Sequence, residues 1–139
     1  MIQRIQTIHL LLSVIVGIVA FVLSLNAVPE EIVRASFSGQ VEWGRWAYLA
    51  LIALGVLLAA WSIFLFKTRM RQLRLVNFSI VAYALTYVVV IGCYLLTKSE
   101  ASWSNIAVNL PIVSIIFNLL ACRRIRFDER LVRSADRLR

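Results

Sequence analysis

The sequence predicts an all-α fold, a four-helix transmembrane bundle with an amphipathic, arginine-rich C-terminal helical extension, on three observations. Hydrophobic residues fill 61% of the 139 positions and charged residues only 16%, a balance far from that of a soluble domain. Four stretches, 8–25, 46–66, 75–96 and 106–122, contain no Asp, Glu, Lys or Arg. At ~1.5 Å per residue, each is long enough to cross a hydrocarbon core of roughly 30 Å.

A charge at mid-membrane costs about 2.5 to 3.5 kcal/mol, so four such gaps in a chain with 22 formal charges mark spans. Helices are the form implied, because a backbone facing lipid must satisfy its own hydrogen bonds, and the runs lack the alternation of a β-barrel. One domain, 1–139, is expected, with a tail over 123–139. The first stretch, Ile8 to Leu25, is longer than a signal-peptide core of about 7–15 residues and reads as a retained span.

Lys and Arg set the expected orientation. Arg4, the hinge with Lys67, Arg69, Arg71 and Arg74, and a tail with seven arginines place 12 basic residues on one side. Only Arg34, Arg45 and Lys98 fall on the other, so the positive-inside rule predicts that both termini and the hinge lie in the cytoplasm. Trp43, Trp46, Tyr48, Tyr94 and Trp103 then fall near the outer interface, and Trp61, Phe64 and Phe66 near the inner one. Tyr83 and Tyr87, in mid-span, read as packing residues.

In the first outer loop, Val33, Ala35 and Phe37, then Val41 and Trp43, alternate around Ser38-Gly39-Gln40, the pattern of a small hairpin. The second outer loop, 97–105, reads as a polar connector. In the fourth span, Pro111 removes a backbone hydrogen bond to Ala107, which predicts a kink or a late helix start near Asn109. A helix over 110–122 alone would be only about 20 Å long, so an earlier start with a bend and a continuation into the tail are both expected.

The spans carry little chemistry. They hold no acidic residue of the kind proton-coupled transport uses, unlike small four-span multidrug exporters. Cys93 and Cys122 belong to opposite ends of neighbouring spans, about 25 Å apart by helix rise, too far for a disulfide. His9 is the sole histidine and has no same-depth partner to hold a haem, and no nucleophile–base pair or metal-ligand set is evident. No catalytic residue, cofactor or metal is expected. The net charge of +8 lies in the gaps between spans, which favours a topology signal over nucleic-acid binding.

Two residue sets stand out. Asn109, Ser114 and Asn118 give the fourth span its polar content; Ser114, Asn118 and Cys122 share a face at steps of four and are expected to bond neighbouring helices. Asn77 reads the same way. Ser13 with Gly17, and Gly55 with Ala59, have the small-xxx-small spacing that allows close helix approach, within the bundle or between two copies. In the tail, Phe127, Leu131, Ala135 and Leu138 gather on one helical face beside a stripe of Arg126, Arg130, Arg133 and Arg137. With Arg123, Arg124 and Arg139, these arginines are the expected contact for a protein partner or anionic lipid. Arg124 with Asp128, and Arg133 with Glu129 or Asp136, stand at ion-pair spacing.

The start Met1-Ile2-Gln3-Arg4-Ile5-Gln6-Thr7 and the finish Leu131-Val132-Arg133-Ser134-Ala135-Asp136-Arg137-Leu138-Arg139, together with the four-span plan, resemble a family of uncharacterised four-span inner-membrane proteins of Bacteroidota. That family is a domain of unknown function. The resemblance implies a topology, a location and a lineage, and no activity. The expectation is a non-enzymatic accessory or scaffold subunit in the lipid bilayer, with a membrane or cytoplasmic protein partner or a second copy of itself. The alternative is a small-molecule or lipid carrier using Asn109, Ser114 and Asn118.

Overall fold

A computed structural model describes residues 2–26, 43–65, 68–97 and 106–136. They form α1 (Ile2–Asn26), α2 (Trp43–Phe64), α3 (Arg69–Thr97) and α4 (Ile106–Asp136). Each is long and apolar enough to cross a membrane, and no strand occurs among the described residues. The hairpin pattern of the first outer loop lies outside those residues.

α1, α3 and α4 extend beyond the charge-free runs that announced them, and α2 starts before its run and ends at Phe64. The absence of charge marks what can sit in hydrocarbon, whereas a helix continues as long as its backbone bonds are satisfied. Arg69, Arg71 and Arg74, expected in a hinge, therefore occupy the first turns of α3. Thr68 starts that helix: its carbonyl accepts from the Arg71 and Gln72 amides, each at 3.0 Å.

Each helix packs against its neighbours in sequence, and α4 closes the ring against α1. The starts of α1 and α3 meet the end of α4, where Gln6 Nε2 donates to the Asp128 carboxylate and Arg69 Nη1 donates to the Asp128 carbonyl at 3.1 Å. The starts of α2 and α4 meet the end of α3, where Tyr48 and Tyr87 bond the first turn of α4. The first of these is the terminal end of the bundle and the second its far end.

The bundle is apolar outside and partly polar inside. Leu57, Trp61, Val88 and Leu95 are all more than 60% exposed, while Gln6, Ser13, Ser79, Ser114, Asn118 and Asp128 are buried. Water would penalise such an exterior; a bilayer accepts it. Inside, Leu10, Val76, Ala121, Cys122 and Ile125 form one apolar cluster toward the terminal end, and Tyr48, Ile52 and Tyr83 form another toward the far end.

Pro111 lies inside α4, which starts at Ile106, the earlier of the two starts weighed, and continues into the tail. The carbonyl of Ala107, to which Pro111 has no N–H to donate, accepts the Tyr48 hydroxyl at 3.0 Å. One residue on, the Val108 carbonyl accepts from Tyr87 at 2.8 Å. Tyr48 was expected at the outer interface and Tyr87 as plain packing; instead both hydroxyls serve the proline turn. Tyr48 is accordingly 1% exposed.

The small-xxx-small glycines work within the chain. A side chain on Gly55 would meet the ring of Tyr83, and one on Gly17 would meet the Tyr83 hydroxyl and Val56. The bare backbones of α1 and α2 thus form the slot that holds the aromatic ring from α3.

Candidate functional site

A membrane helix can bury a hydroxyl in two ways, and this bundle uses both. Ser24, Ser62 and Thr86 donate to carbonyls three or four residues back in their own helices, at 2.6 to 2.7 Å. The others reach across. Ser13 Oγ donates to the Ser114 carbonyl at 3.2 Å, and Ser114 Oγ returns a bond to the Ser13 carbonyl at 3.3 Å. Asn118 Nδ2 donates to Ser79 Oγ at 3.0 Å, and Ser79 Oγ donates to the Gly55 carbonyl at 2.8 Å. Cys122 Sγ donates to Asn77 Oδ1 at 3.4 Å.

Ser114 and Asn118 therefore stand inside the bundle, at 0% exposure, whereas Asn109 is exposed. The reason is angular: Asn109 is five residues before Ser114, which puts the two on opposite sides of a helix turning about 100° per residue. Two buried polar atoms in the seam, Tyr83 Oη and Asn118 Oδ1, have no hydrogen-bond partner.

The buried face of α4 continues beyond the charge-free run. Ser114, Asn118, Ala121, Ile125 and Asp128 follow at steps of three or four, and all are buried. Asp128 is 5% exposed, with Oδ2 taken by Gln6 and Oδ1 without a hydrogen-bond partner. Its spacing from Arg124 had suggested a surface ion pair; rotation of α4 instead turns the carboxylate into the bundle. Continuing the three-and-four step past Arg123 would have found it in the sequence.

The tail's apolar face points the other way. Phe127 is 52% and Leu131 45% exposed, and Arg123, Arg124, Arg126 and Arg130 are exposed as well. Arg133 is on the helix, and Arg137 and Arg139 lie outside the described residues.

Two clefts at the terminal end are lined by arginines, one by those of α3 and the other by Arg123 and Arg124 of the tail. One, of about 530 Å³, joins Thr68, Arg69, Met70, Arg71 and Arg74 to Glu129 and Val132 of α4. The other, of about 380 Å³, joins His9 of α1 to Leu120, Arg123, Arg124 and Phe127 of α4. His9 had no partner in the sequence reading; the fold places it in the lining of a cleft with two arginines. Among the described residues, no three His, Cys, Asp or Glu side chains gather as a metal site.

No curated protein and no solved structure matches the chain. A family model described as a domain of unknown function, DUF4293, matches residues 2–138. Four membrane-length helices with a buried polar seam, and a match over nearly the whole sequence, lead to one conclusion: the chain belongs to the DUF4293 family.

Proposed function

We propose that this protein is a non-enzymatic accessory or scaffold subunit of the bacterial inner membrane, with both termini in the cytoplasm. Its arginine-rich terminal end engages a protein partner or anionic lipid. The observation that carries this reading is the bonded seam: Ser13 with Ser114, Asn118 Nδ2 with Ser79, and Ser79 with the Gly55 carbonyl make direct helix-to-helix bonds. Such bonds join helices at about 0.6 kcal/mol each on average. A bundle held this way presents its chemistry at its ends, and the terminal end carries the exposed arginines.

A second reading, a small-molecule or lipid carrier, is favoured by Tyr83 Oη and Asn118 Oδ1, buried polar atoms without partners near the same seam. Both readings predict the same topology. Alkaline phosphatase fused after Asn26 or Ser99 is expected to be active, and after Arg71 or Arg139 inactive; the reverse pattern would overturn the orientation.

The scaffold reading predicts that the full chain, extracted from its native membrane in mild detergent, brings down a partner in fixed ratio. A lone species under the same extraction argues for the carrier.

A further inference from the structure

We propose that the cleft formed by His9, Leu120, Arg123, Arg124 and Phe127 binds an anionic phospholipid of the adjacent leaflet. The inference rests on the membrane placement and orientation proposed above, and not on the identity of any protein partner.

The cleft joins two chemistries at one depth. Arg123 and Arg124 are permanently charged and present planar donor forks suited to phosphate oxygens. His9 Nδ1 lies 2.7 Å from the Ile5 carbonyl, which can only accept, so Nδ1 carries the hydrogen and Nε2 is the ring nitrogen left for the cleft. Leu120 and Phe127 complete the lining with apolar surface. Its volume of about 380 Å³ falls within the usual range of small-ligand sites, about 300–1,000 Å³.

Position selects a lipid over a soluble anion. Leu120 is eight residues from Asp128 along α4, about 12 Å farther from the terminal end. One turn deeper, Leu12 on α1 and Ile116 on α4 are 37% and 49% exposed, an apolar path leading away from the cations. A phospholipid satisfies both parts, with its phosphate on the arginines and its acyl chain along Leu120, Leu12 and Ile116. The cleft around Arg71 and Arg74 differs: Glu129 contributes a carboxylate to its lining, and its α4 residues, Glu129 and Val132, lie beyond Asp128, at least nine residues along the helix from Leu120.

The test uses the purified full-length chain in micelles carrying equal phosphatidylglycerol and phosphatidylcholine, with retained lipid read by native mass spectrometry. Selective retention of phosphatidylglycerol is expected. At about fivefold per arginine, Arg123→Gln with Arg124→Gln should reduce it about thirtyfold. Arg71→Gln with Arg74→Gln, which removes equal charge from the other cleft, should leave it nearly unchanged. Equal retention of the two lipids, or equal loss in the two double variants, would overturn the site.

A second measurement needs no variant. His9 is the only histidine in the chain, so its carbethoxylation by diethyl pyrocarbonate reports on the cleft alone. Phosphatidylglycerol should slow this reaction several-fold at levels where phosphatidylcholine and inorganic phosphate do not. Unchanged rates, or equal protection by inorganic phosphate, reject a lipid site. Because the purified chain is tested alone, this result stands apart from whether a protein partner co-purifies.

Discussion

Gly55→Ala is expected to destabilise the bundle, although alanine is the better helix former by about 1 kcal/mol. The added carbon would lie 2.8 Å from Tyr83 Cε1, 2.9 Å from Cζ and 3.1 Å from Cδ1, closer than van der Waals contact. The ring has nowhere to go. Tyr83 is fully buried, and its hydroxyl is stopped on the opposite side by the Gly17 backbone. Overpacking of this kind costs about 1–3 kcal/mol, enough to cancel or exceed the propensity gain. Gly92 supplies the contrast, because a carbon there meets nothing within 4 Å. Gly92→Ala should therefore be neutral or stabilising. Folded fraction against SDS content in mixed micelles reads both effects, and Tyr83→Leu should remove most of the Gly55→Ala penalty. An equal penalty with and without the tyrosine ring would show that the slot is not the cause.

Removal of the Asp128 carboxylate is expected to loosen the terminal end. Asp128→Leu leaves the Gln6 amide, itself 6% exposed, without its acceptor, and an unpaired buried polar group costs about 1–3 kcal/mol. Asp128→Asn keeps an acceptor and should cost less. The double variant Gln6→Leu with Asp128→Leu replaces both partners by apolar groups and should recover much of the loss. Arg69 remains bonded to the residue 128 carbonyl in every case, so the coupling read by the cycle belongs to the Gln6–Asp128 pair. Purely additive effects would mean that this hydrogen bond contributes nothing to stability.

Sequence alone determined that there are four membrane-length helices and where they lie. The physics is one-dimensional: charges are costly in hydrocarbon, so their absence over about 20 residues announces a span wherever it occurs. The helical continuation of α4 into the tail was legible too, because a span cut at Cys122 after Pro111 would have been too short. Ser114 and Asn118 could be placed on one face by their spacing of four.

Tertiary structure decided which way each helix faces. In a soluble protein the apolar stripe identifies the core, but here lipid and interior both accept apolar side chains, so hydropathy cannot fix rotation about the helix axis. That is why Tyr48, read as an interface residue, turned out to bond the Ala107 carbonyl in the proline turn, and why Asp128, read as a surface partner of Arg124, turned inward to Gln6. It is also why the tail's arginines looked like one set. Only the packing of α1 against α4 put Arg123 and Arg124 in one cleft with a histidine and an apolar wall, because residues far apart in sequence come to line it together, which no local spacing encodes.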